Sequence, residues 1–480
     1  MTHGLKWLLC GLIIVAGVLA PGRGLAAGHQ SGARPAVAKP VDKMVDKQVL
    51  VIDVAANAEQ RPAKPLQAAG GLRKTGPGTL ILAAGSRCHG IVKVEAGTLR
   101  MEPGSALFDA PAAPADAIEI GNGATLELEH WLSRAELSLG MLPGEAERLV
   151  IDGGRLRVTG ITGSGRGFTI KSKGVVFEAA AGADWLLHDL REPHDVVFAG
   201  TPPLTFTGEG RGRFDKAVSA AGKIVKEGSG SWIIDSPRFE TGTVEVRQGV
   251  LELTRPVLPD AQEIVVAKGA KLFLRFDGCD AVGALVLDGK RLPAGTYNAK
   301  THPASLAGPG NLVVGGPAVI APPALTYELA KGWEEWPPNK LNAIRKSMDY
   351  AAGLYNAGGR FPQKITVGYN KGVPTAETSF YQKTIRFGGL ISPCCALHEM
   401  AHAMGSGTHW KWKNFNQTRT WTGPYAVAFV QQMDGPKAKL SVDKIHFWPY
   451  GMNFPKESSP VSDRIHVRLV EAIRRDMGIH

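Results

Sequence analysis

Short runs in which apolar and polar residues alternate, separated by glycine turns, recur over residues 50–314. The segment "GLRKTGPGTLIL" starts at Gly71 and "GIVKVEAGTLRM" at Gly90, while "IVKEGSGSWIID" starts at Ile224 and "GTVEVRQGVLEL" at Gly242. Alternation with a period of two predicts strands that bury one face. The region is therefore predicted to be all-β.

These segments form two copies of one unit. Four glycines of the first copy match four of the second at one constant offset: Gly76, Gly78, Gly90 and Gly97 match Gly228, Gly230, Gly242 and Gly249. Such a unit cannot bury its apolar face alone, so it stacks on its neighbours. We therefore predict an N-terminal all-β solenoid of the parallel β-helix type over residues 50–314.

A different pattern begins after residues 315–324, where a Pro- and Gly-rich stretch predicts an interdomain linker. The segments "NKLNAIRKSMDYAAGLYNA" and "DRIHVRLVEAIRRDMGI" have apolar residues at helical spacing, whereas "KITVGYN" and "TSFYQKTIRFGG" each alternate as a strand does. Residues 325–480 are therefore predicted to form an α+β domain, and the chain is predicted to be multidomain.

The composition agrees with this division and restricts the partners. A chain of 480 residues is too long for one typical domain, and its 59 glycines fit a repetitive β structure with many turns. The formal net charge is +11, but Lys and Arg form no block, so we expect solvated basic faces and no nucleic acid as partner. A cell-surface glycan or another polyanion stays open as a partner.

The N-terminus has the features of a secretory signal. Lys6 precedes an apolar run and the small-residue stretch "GLAAG" follows it, so residues 1–27 are predicted to be a signal peptide and residues 28–49 a linker. No second apolar stretch is long enough to span a bilayer, so the mature chain is expected to lack a transmembrane domain. We expect the protein to be secreted or at the cell surface.

The segment "SPCCALHEMAHAMG" carries the candidate chemistry. Ser392 is a favourable helix N-cap, the proline after it suits the first helical position, and Gly405 suits the end. On that helix His398 and His402 are four residues apart and face one side, which is the spacing that two ligands of one tetrahedral Zn²⁺ require. Glu399 adjoins the open position, where it can take a proton from metal-activated water.

The same segment resembles the zincin metallopeptidases, and specifically the metzincin pattern H-E-x-x-H-x-x-G-x-x-H. The match holds through Gly405 and then fails, because Thr408 takes the position of the third ligand and His409 follows one residue late. A bulge in "GSGTH" would bring His409 back to the metal, since two glycines make that turn pliable.

A second candidate for the third ligand lies in "DKIHFWPYGMN". Its last part, "YGMN", resembles the metzincin Met-turn, in which a methionine underlies the metal. By this resemblance Met452 underlies the site, and Tyr450 is an auxiliary ligand or an oxyanion group.

The run from "HEMAHAMG" to "HFWPYGMN" is also similar to a group of secreted bacterial zincin-like domains that are attached to carbohydrate-binding or repeat modules. In that group "HFWPYG" is a second hallmark, and the position of His409 is often not histidine. The resemblance therefore favours His446 as the third ligand, with His409 and Glu457 as alternatives.

The N-terminal repeats have a resemblance of their own. The segment "KTGPGTLIL…GIVKVEAGTLRM" resembles the autotransporter-associated β-strand repeat of bacterial passenger domains, and "LDGKRLPAGTYNAKTHPASLAGPGNLVV" resembles the unit that closes such repeats. This resemblance implies a stalk or a surface-display scaffold rather than a catalyst.

Together these features predict a secreted zinc-dependent endopeptidase that acts on a protein or peptide substrate. Metal-activated water would attack the peptide bond, and Glu399 would be the general base. The alternative is a non-catalytic surface adhesin or glycan-binding protein with a degenerate zincin-like domain. The intact Glu399 favours the enzyme, because a purely structural metal site has no need of a base.

Overall fold

A computed structural model of the chain describes most residues from 48 to 479. The described ranges are 48–105, 107–108, 116–130, 145–191, 194–236, 238–321 and 323–479. The predicted signal peptide, and all but the last two residues of the linker after it, lie outside them. Among the helices within these ranges, none is long and apolar enough to cross a membrane.

The N-terminal region consists of three stacked sheets of parallel strands, and the chain visits them in turn. The strands of the first sheet are Leu50–Asp53, Leu72–Thr75, Ile91–Val94, Ala117–Ile120, Leu149–Ile151, Phe168–Ile170 and Val196–Phe198. Those of the second are Glu59–Gln60, Thr79–Leu82, Thr98–Met101, Thr125–Leu128, Gly154–Val158, Val175–Ala179, Pro203–Gly208, Lys223–Lys226, Thr243–Val246, Glu263–Val266, Ala284–Leu287 and the antiparallel Lys290–Arg291. Those of the third are Ile161–Ser164, Asp184–Leu187, Arg211–Phe214, Ser231–Ile234, Val250–Leu253, Lys271–Leu274 and Leu306–Ala307.

This arrangement is consistent with the predicted β-solenoid, and residues 50–314 are called the solenoid below. Two short parallel pairs lie at its corners, and a mixed sheet covers its C-terminal end. The pairs are Gln67–Ala68 with Arg87–Cys88 and Val218–Ala221 with Phe239–Thr241; the covering sheet contains Gly295–Asn298, Asn311–Val314, Gly278–Val282 and Val319–Ile320. The last of these strands falls in the predicted linker at residues 315–324 and pairs antiparallel with the solenoid.

The solenoid core is built by side chains that repeat in register from one coil to the next. In the second sheet Leu204, Ile224 and Val244 stand side by side and are fully buried. A cluster of aromatic rings fills part of the interior, with ring centroids 4.9 Å apart for Phe206 and Trp232. Because each coil buries its apolar face only against its neighbours, the stack is needed for the fold.

The matched glycines form corners at which adjacent coils approach closely. Gly97 has a φ of +62° and Gly249 a φ of +68°, a conformation that side chains disfavour. A Cβ atom at Gly249 would lie 2.3 Å from the carbonyl oxygen of Gly230 in the preceding coil. The glycines that repeat in the sequence are therefore needed for close packing of adjacent coils as well as for the turns.

Two buried lysines at equivalent corners were not predicted from the sequence. Lys226 is fully buried, and its Nζ donates to the carbonyl oxygens of Glu227, Gly228 and Gln248 at 2.5, 2.7 and 3.1 Å. Lys74 does the same in the first copy of the repeat. Burial lowers the pKa of Lys226 to about 8, so the contacts with the carbonyl groups offset a real cost of desolvation.

The C-terminal region is mixed α/β with four helices. These are α1 (Pro338–Gly358), α2 (Pro393–Ala403), α3 (Pro424–Asp434) and α4 (Pro460–Asp476). A four-stranded sheet has the order Leu325–Leu329, Gln363–Tyr369, Thr384–Phe387 and Ala376–Ser379, and a hairpin joins Ser441–Val442 to Phe447–Trp448. Short 3₁₀ turns lie at Trp333–Glu335, Trp410–Asn414 and Pro455–Glu457, and a further one lies in the solenoid at Ala146–Arg148.

Two local expectations for this region differ from the structure. The segment "TSFYQKTIRFGG" was expected to be one strand, but it is a hairpin, and Lys383 in its turn has a φ of +56°. Helix α3 was not expected, although it starts at a proline in the first turn and ends before Gly435, which has a φ of +105°. Its apolar residues run almost all around the helix, so helical spacing did not reveal it.

The solenoid and the C-terminal region pack directly against each other. Leu186 and Leu190 of the solenoid belong to the buried core of the C-terminal region. Gln432 of α3 donates to the carbonyl and carboxylate oxygens of Asp184 at 3.1 and 2.8 Å. A bidentate ion pair joins Arg360, after α1, to Asp277 of the solenoid.

Candidate metal centre

Helix α2 holds the two histidines of the sequence motif. The Ser392 hydroxyl accepts a hydrogen bond from the Cys395 amide, which caps the helix as the sequence predicted. Gly405 follows the end of the helix with a φ of +109°. Because every residue from Cys394 to Ala403 is buried, His398 and His402 project from one face into the protein rather than into bulk water.

The third histidine comes from the hairpin after α3. In its turn the Asp443 carboxylate accepts hydrogen bonds from the amides of Ile445 and His446 at 2.8 and 2.6 Å. The other carboxylate oxygen of Asp443 lies 3.1 Å from His446 Nδ1 and orients the ring. In this position His446 lies beside His398 and His402 of α2. One ring nitrogen from each of the three histidines lies within 4.8 Å of the others.

Acceptors on the outer side of each ring determine which nitrogen faces inward. His398 Nδ1 donates to the Gly451 carbonyl at 2.9 Å, and His402 Nδ1 donates to the Ser406 carbonyl at 2.7 Å. With Nδ1 protonated, a neutral imidazole has its lone pair on Nε2. Backbone carbonyls in this role orient and strengthen metal-binding histidines.

The two inward nitrogens fit a shared cation. His398 Nε2 and His402 Nε2 are 3.1 Å apart, so two lone pairs point at nearly the same place. Such an arrangement is repulsive unless a cation lies between the nitrogens, and a tetrahedral Zn²⁺ with Zn–N bonds of about 2.0–2.1 Å would set them about 3.3 Å apart. The buried group of His398, His402 and His446 could therefore hold a metal ion.

Burial also keeps the imidazoles of His398 and His402 neutral, and the neutral form is the one that binds metals. Burial lowers the pKa of His402 to about 4. It lowers the pKa of His398 well below its usual range, and the neighbouring His402 lowers it further. The side chain of His446 is 20% exposed, so it lies on the more open side of the group.

Glu399 lies beside the histidine group and has one oriented oxygen. Its Oε2 accepts a hydrogen bond of 2.6 Å from the hydroxyl of Thr378, on the edge strand of the four-stranded sheet. Burial raises the pKa of Glu399 to about 7, the hydrogen bond from Thr378 opposes the rise, and the nearby Glu377 adds to it. Glu399 is not part of the histidine group that could hold a metal ion.

A cavity of about 280 Å³ opens on the histidine group. His398, His446 and Glu399 line it together with Met452, which is almost fully buried. The cavity wall is otherwise largely apolar: Leu390, Trp448, Phe454 and Pro455 contribute to it, with the two buried cysteines Cys394 and Cys395.

The structure places the other candidate ligands elsewhere. His409 caps the 3₁₀ turn after α2, where its Nδ1 accepts from the Lys411 amide at 3.2 Å and its ring packs 5.0 Å from that of Phe380. Glu457 accepts a hydrogen bond from the Asn453 amide at 3.0 Å. Neither belongs to the group that could hold the metal.

Tyr450, the expected auxiliary residue, has its hydroxyl engaged away from the histidines. It donates to the Asp434 carboxylate at 2.8 Å and also accepts a hydrogen bond from Arg191 of the solenoid. Met452, by contrast, lines the same cavity as His398 and His446. Of the two residues suggested by the Met-turn resemblance, Met452 therefore lines the site, whereas the Tyr450 hydroxyl is bonded to Asp434 and Arg191.

Three residues that shape the site were not identified from the sequence. Asp443 had a detectable signal, because an Asp that begins a tight turn three residues before a histidine is typical of an Asx-turn. Thr378 had none, since it reaches Glu399 from another strand. His466 of α4 is fully buried and donates from Nδ1 to the Tyr450 carbonyl at 2.6 Å.

Comparison of the chain with known protein families, with curated proteins and with solved structures found no match in any of the three. The site is therefore interpreted from its own geometry.

Proposed function

We propose that this protein is a secreted or surface-exposed zinc-dependent endopeptidase whose C-terminal region is zincin-like. The observation that carries the proposal is the convergence of three histidine nitrogens next to a glutamate that is not a ligand. A structural zinc site is usually closed by four protein ligands, whereas a catalytic site has three and an open position.

Zinc suits the donor set better than Mg²⁺ or Ca²⁺. Three imidazole nitrogens without a carboxylate or carbonyl ligand do not suit Mg²⁺ or Ca²⁺, which prefer oxygen. Bound Zn²⁺ would supply Lewis acidity, which polarises a carbonyl group and acidifies water. His398, His402 and His446 would hold it, and Gly451, Ser406 and Asp443 would orient their rings.

Each residue around the metal would then have its own role in peptide hydrolysis. The free oxygen of Glu399 takes a proton from the attacking water and delivers it to the departing amine. The hydroxyl of Thr378 keeps the other oxygen fixed, so the carboxylate is already oriented before the substrate binds. The apolar cavity wall around Leu390 and Trp448 fits a side chain of a protein or peptide substrate and excludes competing water.

The test is a pair of measurements on the full mature chain. We expect about one zinc per chain by elemental analysis, and hydrolysis of a labelled unfolded protein that a chelator abolishes. Glu399→Gln should keep the zinc and lose the hydrolysis, because it removes the base without removing a ligand. The double variant His398→Ala/His402→Ala should lose both. Full zinc occupancy in that double variant would contradict the proposal.

A non-catalytic adhesin or glycan-binding protein is the second candidate, and one observation favours it. Tyr381 and Trp410 are 64% and 58% exposed and lie together, with the Trp410 amide donating to the Tyr381 hydroxyl at 3.2 Å. Exposed aromatic pairs of this kind are common at binding surfaces. Glycan or cell binding that Glu399→Gln leaves unchanged, without any hydrolysis by the wild-type chain, would favour this candidate.

A further inference from the structure

An arginine of the solenoid reaches the loop that supports the metal centre. Arg191 Nη2 donates to the Asp434 carboxylate at 2.6 Å and to the hydroxyl of Tyr450. Tyr450 in turn donates to the same oxygen of Asp434 at 2.8 Å. Three elements, the solenoid, the end of α3 and the loop at residues 449–453, therefore meet in one hydrogen-bonded triangle.

The loop at residues 449–453 carries the carbonyl group that orients one of the metal-binding histidines. The Gly451 carbonyl accepts from His398 Nδ1 at 2.9 Å, and the preceding Tyr450 carbonyl accepts from His466 Nδ1 at 2.6 Å. The loop thus fixes the tautomer and the direction of His398. A shift of its backbone would remove that hydrogen bond or change its angle.

The backbone of this loop is held in a conformation that its residues disfavour. Tyr450 has a φ of +64° and Met452 a φ of +56°, and neither is a glycine. Residues other than glycine persist in the left-handed region only where their surroundings impose it. The side chain of Met452 is enclosed by the core, whereas that of Tyr450 is only partly buried and is held at its hydroxyl.

We propose that Arg191 is a positioning residue for the metal centre, so that the solenoid is a working part of the site rather than only its carrier. Arg191 fixes the Tyr450 hydroxyl, the Tyr450 backbone fixes Gly451, and the Gly451 carbonyl orients His398. The inference rests on the proposed zinc binding. It explains why Tyr450 belongs to the Met-turn-like segment and yet has its hydroxyl bonded to Asp434 and Arg191.

The test compares zinc affinity, measured by chelator competition, in Arg191→Met and Arg360→Met. The control is matched: Arg360 also crosses from one region to the other in an ion pair, with Asp277, and both arginine side chains are 28% exposed. Loss of a partner outside the ligands typically weakens metal binding about 10–100-fold. We expect Arg191→Met to weaken zinc binding about tenfold. Arg360→Met should change it less than about twofold, because Arg360 bonds to Asp277 and not to the loop residues around His398.

A second variant separates positioning from general destabilisation. Tyr450→Phe removes the hydroxyl but leaves the ion pair between Arg191 and Asp434, so it should weaken zinc binding to a similar extent. If Arg191 acts through Tyr450, adding Arg191→Met to Tyr450→Phe should produce little further loss. Equal zinc affinities of Arg191→Met, Tyr450→Phe and Arg360→Met would overturn the inference alone. A wild-type chain that binds no zinc would overturn both the inference and the proposed function.

Discussion

The identity of the third ligand gives the sharpest single prediction. His446→Ala should collapse zinc affinity, and His409→Ala should leave it unchanged. His446 is part of the converging histidine group, whereas His409 binds the Lys411 amide and packs on Phe380. The two substitutions are chemically identical and lie in the same region, so each is the control for the other.

The expected magnitudes follow from what each ring contacts. Four-ligand zinc sites bind with about 10–16 kcal/mol, or roughly 2.5–4 kcal/mol per ligand, so the loss of His446 should weaken binding by roughly 100- to 1,000-fold. The loss of His409 removes a hydrogen bond that caps one 3₁₀ turn. That should lower the free energy of unfolding by about 1 kcal/mol and change zinc affinity by less than about twofold.

The assay is competition for zinc with a chromophoric chelator at constant pH, with thermal unfolding measured on the same samples. Parallel loss of zinc and stability in His409→Ala, with normal zinc binding in His446→Ala, would refute the reasoning. That result would require the segment after α2 to rearrange and bring His409 to the metal, as expected for the metzincin pattern with a bulge in "GSGTH".

Four further substitutions test the proposed base and the two regions of the fold. Thr378→Val should lower hydrolysis about 10–100-fold at unchanged zinc content, because it removes the charge-assisted hydrogen bond to Glu399; activity equal to wild type would contradict this. Lys226→Met should lower the free energy of unfolding by about 2–4 kcal/mol in urea titrations, since three carbonyl groups lose their donor, and a loss below about 0.5 kcal/mol would be evidence against it. Gly212→Ala should destabilise the chain by about 1–3 kcal/mol, because the new Cβ would lie 2.4 Å from an indole ring. Gly353→Ala changes a residue within α1, and no atom lies within 4 Å of the added Cβ, so it should stabilise the chain by up to about 1 kcal/mol. A stabilised Gly212→Ala variant or a destabilised Gly353→Ala variant would contradict these two expectations.

The sequence by itself determined the features that depend on neighbours along the chain. Alternating residues between glycine turns predicted strands, and the matched glycines predicted that the strands stack in a solenoid, because period and turn chemistry are local properties. The same holds for α2: a serine cap, a proline and a glycine bounded it, and the helical period put His398 and His402 on one face.

Only the tertiary structure decided the features that join distant segments. His446 had been favoured over His409 by resemblance alone. Its place beside His398 and His402 depends on how the hairpin after α3 folds back onto α2. Thr378 reaches Glu399 from another strand, and Arg191 reaches Tyr450 across the contact with the solenoid. No local period encodes such contacts, since they exist only after the two regions have packed. The sequence could therefore supply His398, His402 and Glu399 as candidates, while the place of His446 and the supports around the site were decided by the packing of the two regions.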